Sequence, residues 1–346
     1  MRPTAFLMIG LYYQKNKVLK GPKMRPIVSL FLLVFITNFA CAAPKGPAPV
    51  PLEPTVFASI LFGTGEGAIK PFELGEVGEG VPTSFCFDKH GKLNLLVPHM
   101  HAILQFDSSG QFDKTINLRS KKGKTLPDKA FFYDLAFDYK GRYLILDRSG
   151  GWVARFDKKG RAIDTFGHNV GPERIFVNRD GNTIVRDGAQ GVLNIFDNKG
   201  AFIGEIKGPY LAPEMSKDGT LVRSRIIGNK RAFIWLRKAG SSLPRLFTII
   251  TPRDKNGKIY QAECLGFTSD GILYVLTTET TADGGYVSHI YRLKENAKID
   301  ACYKIAPNME RLAELPRFHK LCADGRVITF RLTAKSYEVL IYETGS

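Results

Sequence analysis

Asp138-Tyr-Lys-Gly141, then Tyr143-Leu-Ile-Leu-Asp147, then Gly151-Trp-Val-Ala-Arg-Phe156-Asp-Lys-Lys-Gly160 is the stretch whose reading decides the fold. Two tight turns bracket two short runs rich in β-branched and aromatic residues, which reads as strands joined by hairpins. In each turn the aspartate accepts hydrogen bonds from backbone just downstream, and the glycine takes the positive φ the hairpin needs. The same arrangement stands upstream as Asp88-Lys-His-Gly91 with Phe106-Asp-Ser-Ser-Gly110. It stands downstream as Asn178-Arg-Asp-Gly181 with Phe196-Asp-Asn-Lys-Gly200. In all three the first glycine precedes the phenylalanine by 15 residues, so one supersecondary unit has been copied.

Three weaker copies follow. Ser216-Lys-Asp-Gly219 leads to Phe233-Ile-Trp235, Ser269-Asp-Gly271 to His289-Ile-Tyr291, and Ala323-Asp-Gly325 to Val339-Leu-Ile-Tyr342. No comparably long stretch carries a 3.6-residue apolar period. Each unit therefore reads as a four-stranded antiparallel blade, with strands A to D in chain order. Six such blades make an all-β, six-bladed β-propeller. The sixth copy runs out at Ser346 without a fourth strand, while Thr55-Val-Phe-Ala-Ser-Ile-Leu-Phe62 precedes the first blade and belongs to none. The expectation is that this N-terminal strand supplies strand D of the last blade and closes the ring, removing an open sheet edge.

Phe137-Asp-Tyr-Lys-Gly141, Tyr143-Leu-Ile-Leu-Asp147 and the run to Gly160, with Thr183-Ile-Val-Arg-Asp187 and the run to Gly200, resemble the NHL repeat of six-bladed propellers. The resemblance spans residues 55–346 and is clear in three repeats and faint in three. It implies a strand-B aspartate that ties down a loop, present as Asp147 and Asp187. Val97, Arg225, Thr277 and Arg331 stand at that place in the other units, which implies looser loops there.

The first 54 residues are of another kind. Lys20, Lys23 and Arg25 precede an apolar run from Ile27 to Phe39 that ends in Ala40-Cys41-Ala42, a small-x-small cleavage pattern. Residues 24–42 read as a secretory signal peptide, and residues 1–23 as an extension from an upstream start. Residues 43–54, proline-rich, read as a stiff spacer, and residues 55–346 as the propeller. The expected location is periplasmic or extracellular. Membrane attachment requires that the signal stay uncleaved or that Cys41 carry lipid. The apolar run is short of the roughly 20 residues that span a bilayer, and Asn38 and Phe39 are poor residues for a lipoprotein site.

The chain is strongly basic, with a formal charge of +16, of which residues 1–42 contribute six Lys/Arg and no acid. The remainder, about +10, points to an anionic partner: a protein, an acidic polymer or lipid headgroups. Nucleic acid is not expected for an exported chain with no RNA-recognition motif. The plainer alternative is charge spread evenly for solubility. A monomer is expected. Cys86, Cys264, Cys302 and Cys322 allow three disulfide pairings, and a Cys86–Cys322 bridge between neighbouring blades stays open. Runs such as Ser84-Phe-Cys86-Phe equally suit buried small hydrophobes. Without C-x-x-C, neither a zinc knuckle nor covalent haem is indicated.

Propeller topology puts the A–B and C–D turns on one face and the B–C loops and D–A connections on the other. The second face is where the copies differ, since successive first-turn glycines are 50, 40, 38, 52 and 54 residues apart. Its lengthened connections contain Arg119-Ser-Lys-Lys-Gly-Lys124, Pro252-Arg-Asp-Lys and Pro307-Asn-Met-Glu-Arg311. Candidate binding residues on that rim are His99, His101, Asp147, Arg148, Arg186, Asp187, Arg223, Arg225, Glu279 and Arg331. Arginine forks bind carboxylate and phosphate bidentately, so the rim reads as an anion-recognition funnel. The competing reading is that these arginines pair with Asp147, Asp187, Glu173 or Glu279 and hold loops.

In a strand, alternation places the His99 and His101 rings on one side, as a metal ion requires, although Pro98 argues for a loop and no third ligand is evident. Glu79-Gly80-Val81-Pro82 resembles the Glu-Gly-Pro that opens the first blade of the gluconolactonase family, with one residue inserted and no following Trp. That likeness implies a divalent cation at the channel mouth and a metal-dependent hydrolase or lyase as the alternative function. No nucleophile elbow, phosphate loop or zincin helix occurs. The primary expectation is therefore a binding or scaffold protein, acting through its loop-rich face, with no catalytic residue and no cofactor.

Overall fold

The computed structural model describes residues 46–69, 81–119, 130–207, 214–215, 218–306 and 319–345. The signal peptide, Cys41, Glu79 and Gly80, and the lengthened connections at 120–129 and 307–318 lie outside them. Six antiparallel sheets form six blades. Blade 1 is built from Ser84–Phe87, Leu93–Val97, Ala102–Phe106 and Phe112–Asn117, paired in that order. Blades 2, 3, 4 and 5 repeat the pattern over residues 132–166, 172–207, 214–250 and 258–305. Blade 6 contributes Lys320–Leu321, Val327–Leu332 and Ser336–Tyr342.

The fourth strand of blade 6 is Thr55–Leu61, antiparallel to Ser336–Tyr342. The expected ring closure is thus formed, with Ala58 and Ile60 buried in the joint with blade 1. Gly110, in the C–D turn of blade 1, stands against this strand at φ 82°. A Cβ there would lie 1.7 Å from the Phe57 carbonyl oxygen, so only glycine fits.

The proline-rich segment departs from the spacer reading of residues 43–54. Val50–Pro51 runs parallel to strand D of blade 5, with Val50 opposite Tyr303, and adds a fifth strand to that blade. Proline has no N–H to give, but an edge strand needs donors only on its inner side. Here the Leu52 N–H supplies one, to the Lys304 carbonyl at 2.9 Å.

The turn chemistry read from the sequence is realised in detail. Asp138 Oδ1 accepts from the Lys140 and Arg142 N–H groups at 2.8 and 2.9 Å, and the Gly141 N–H reaches the Asp138 carbonyl. Asp88, Asp107, Asp157 and Asp197 repeat it. The apolar residues collect in six clusters, one at each joint between adjacent blades, because both faces of every sheet are covered by neighbours. No disulfide joins Cys86, Cys264, Cys302 and Cys322, all of which fall in or against these clusters.

Candidate functional site

Strand A of each blade lines the central channel, so its side chains decide what the channel can hold. The inner strands bring together a set of polar and charged residues: Ser84, Asp134, Arg174, Glu263, and His319 with Lys320. Asp134, fully buried, accepts from the Ser84 hydroxyl in blade 1 at 2.6 Å and from the Ile175 N–H in blade 3 at 3.0 Å. Arg174 of blade 3 reaches across to Glu263 of blade 5 at 3.4 Å. His319 of blade 6 lies 3.9 Å from the same carboxylate, and Lys320 donates to the Phe85 carbonyl and to Ser84. These contacts run from blade 1 through 2, 3, 5 and 6 and back to blade 1, a polar ring that ties the inner strands together.

Above the ring, toward the A–B turns, the channel widens into a cavity of about 1230 Å³. Half-buried Phe87, Phe137 and Phe176 line it, with Lys320 at its inner end and Asp88, Lys89, Arg179 and Asp324 at its mouth. The described cavity therefore opens through the tight-turn face, opposite the face singled out by loop length.

Burial by itself raises the pKa of Glu263, but the neighbouring His319 imidazole and the charge of Arg174 outweigh it and hold the carboxyl below its usual range. Glu279 behaves alike: burial raises it, while His289, the Arg253 N–H and the Thr277 hydroxyl bring it down on balance. A carboxylate depressed in the folded state contributes stability that is complete above its unfolded pKa, about 4.3 for glutamate, and is lost as pH falls through the folded value. The melting temperature is expected to be level above about pH 5 and to fall in more acidic solution. Glu263→Gln and Glu279→Gln should flatten that fall. Acid melting curves of both variants parallel to the wild type would refute the assignment.

The residues predicted for the rim divide into three groups. Asp147, Asp187 and Glu279 are buried, not displayed. Asp147 accepts from the Phe131, Ser149 and Gly150 N–H groups and from the Trp152 indole. Asp187 accepts from the Val170, Gly171 and Gln190 N–H groups. Each carboxylate caps backbone of its B–C loop and of the incoming connection, where a loop leaves several N–H groups unpaired at once. Glu279 does the same in blade 5, accepting from the Arg253 N–H at 2.8 Å and from Thr277. The looser loop expected from Thr277 is thus corrected, because a longer acid two residues on takes over the task.

The second group is arginines with a partner. Arg186 lies 3.2 Å from Glu173, Arg331 lies 2.6 Å from Glu338, and Arg148 stacks on the Tyr133 ring at 4.7 Å. Arg223 and Arg225 lie in strand B of blade 4, with Arg225 exposed. The histidines form the third group. Pro98–Met100 is a turn of 3-10 helix and His101 follows it at φ 46°, so the strand alternation that would align the two rings is absent. His101 packs edge-on against Phe132. Among the described residues, no three His, Cys, Asp or Glu side chains gather closely enough to hold a metal ion.

Sequence reasoning passed over Asp134, Arg174, Glu263, His319 and Lys320. Their signal was present as a charge in the middle of an apolar strand A, as in Phe132-Tyr-Asp-Leu-Ala-Phe137 and Ala262-Glu-Cys-Leu265. Such a residue needs a partner, and the ring geometry supplies it.

No protein-family model matches the chain, and no curated protein matches it by sequence. Among solved structures it is similar to a member of duf4221 family from Bacteroides vulgatus, with a TM-score of 0.52 and 12% identity over 85% of this chain and 98% of that one. It is similar to U3-55K, with a TM-score of 0.50 and 10% identity over 84% and 99%. It is also similar to virginiamycin B lyase from Staphylococcus aureus, with a TM-score of 0.46 and 14% identity over 75% and 95%. At these identities the likeness is one of fold, and the chain is a six-bladed β-propeller.

Proposed function

We propose that this chain is an exported binding propeller of the NHL-like type that receives an anionic partner at the mouth of its central channel, on the tight-turn face. The observation that carries the reading is the cavity of about 1230 Å³, walled by half-buried phenylalanines and reached at its inner end by Lys320 of the polar ring. Concave sites that combine apolar walls with fixed polar groups are what ligands of moderate size require. The basic balance of the chain beyond residue 42, about +10, supports an anionic partner. The loop-face arginines support it less, since Arg186 and Arg331 are already paired with glutamates. Export rests on the apolar segment with basic flank read at residues 24–42.

The test is binding of three anionic probes, an acidic peptide, polygalacturonate and phosphatidylglycerol vesicles, at low and physiological salt. At least one is expected to bind, more weakly as salt rises, and to lose affinity when Ala136→Trp fills the cavity. Binding that ignores Ala136→Trp but vanishes in Arg148→Glu/Arg225→Glu would move the site to the loop face. No binding to any probe at low salt would overturn the reading.

A further inference from the structure

At the joint between blades 4 and 5 the cavity does not stop at the channel mouth. A groove of about 620 Å³ shares Arg179 and Ser269 with the channel cavity and runs outward between the two blades. Its outer end continues into a further space of about 530 Å³ bounded by Lys238, Arg245 and Lys294. The path from channel to rim is continuous, and its two levels differ in chemistry.

The floor is apolar. Leu236, Phe247 and Phe267 line the groove and belong to the hydrophobic cluster of this joint, so the core between the blades here opens at the surface. The walls are charged. Arg179, Lys238 and Arg245 are exposed and form no ion pair among the described residues, while Lys294 is held by Asp300 at 2.9 Å. Asp218 and Asp270 also line the groove, Asp270 bonded by Thr268, while at the outer end Lys238 and Arg245 stand with Glu295, Lys294 being engaged by Asp300. Leu243, two residues before Arg245 in the chain, is 77% exposed. An exposed leucine near an apolar floor and unpaired cations is the composition of a contact surface without its partner.

We propose that this groove docks an extended acidic peptide segment of a partner protein, its apolar side chains on the Leu236, Phe247 and Phe267 floor and its carboxylates toward Lys238, Arg245 and Arg179. The apolar floor and the exposed Leu243 near its outer end select a peptide over an acidic polysaccharide, whose hydroxyl-rich surface gains nothing from them. The proposal names the partner class for the anionic-binding reading above and rests on that reading for the sign of the charge only. Carboxylates at guanidinium and ammonium groups fix register and raise the association rate, and the floor supplies the remaining attraction.

The experiment measures fluorescence anisotropy of a fluorescein-labelled peptide of alternating glutamate and leucine, with a glutamate–serine peptide, a lysine–leucine peptide and polygalacturonate for comparison. The glutamate–leucine peptide is expected to bind most tightly, and Lys238→Glu/Arg245→Glu to weaken it by about tenfold or more, the effect of losing two charge contacts. Lys238→Gln/Arg245→Gln should fall between, and Leu243→Ser should reduce the preference for leucine over serine. The three groove positions substituted, 238, 243 and 245, are exposed, and unchanged melting temperatures will show that the fold is retained. Equal affinity of the charge-reversed variant and the wild type overturns the groove, as does tighter binding of polygalacturonate than of either acidic peptide. Loss of peptide binding in Lys238→Glu/Arg245→Glu with no effect of Ala136→Trp keeps the groove and overturns the channel reading. The reverse pattern keeps the channel and overturns the groove.

Discussion

Deleting Thr55–Leu61 is expected to abolish cooperative unfolding and to send the chain into the insoluble fraction. This strand supplies Ala58 and Ile60 to the cluster that joins blade 6 to blade 1, together with Leu95, Val97, Phe330, Tyr337 and Val339. Without it, Ser336–Tyr342 becomes an open edge whose backbone donors and acceptors invite pairing with another chain. The strand is the hydrogen-bonded closure of the sixth sheet, and Lys320 with the remaining apolar contacts holds the first and last blades together only at the channel end, so the loss is not local. Ile60→Ala isolates the packing part: its side chain is 1% exposed, and truncation should cost about 2–5 kcal/mol in urea unfolding, transfer and cavity terms together. Gly110→Ala tests the same contact from the other side, because an added methyl meets the Phe57 carbonyl oxygen. A deletion variant that stays soluble and melts sharply at the wild-type temperature would show that the ring is closed by other means.

Asp134→Ala is expected to be the most destabilising single change of a charged residue in the channel. Asp134 is 0% exposed and bridges three blades through Ser84, its neighbour Leu135 and the Ile175 N–H. Removing the carboxylate leaves these donors buried without an acceptor, at about 1–3 kcal/mol for each group that water does not reach. A total of about 3 kcal/mol or more follows, well above the cost of an ordinary surface change. Asp134→Asn keeps the shape and one acceptor oxygen but turns an amide N–H₂ toward a donor, so it should lie between alanine and wild type. Urea titration monitored by tryptophan fluorescence and by circular dichroism distinguishes these values. An Asp134→Ala midpoint equal to the wild type would mean that water enters the channel floor and satisfies the same donors, and the ring would then be a wet site, not a structural clasp.

The contrast between Asp147 and Asp134 shows where the sequence was informative. Asp147 lies in a repeated motif, and its loop-binding role follows from partners within 18 residues, Phe131 and Ser149. Its mistake as a rim residue came from reading a loop position as a displayed one. An aspartate at the end of a strand turns inward, because the N–H groups of the bent loop are the nearest unsatisfied donors. Asp134 has partners 50 and 41 residues away, at Ser84 and Ile175, which only the closing of the ring brings together. The Arg174–Glu263 contact spans 89 residues and the Lys320–Ser84 contact 236.

From the chain alone came the blade, its number and its closure, because hairpin turns and alternating strands are set by interactions among residues a few positions apart, repeated six times. Thr55–Leu61 could be assigned to the last blade by counting strands. What the tertiary structure decided is which charges meet and which are spent on loops. Those depend on distances across the ring, between residues that no local period relates. The blades also enclose the channel cavity at the tight-turn face, where short turns leave space between side chains of five blades.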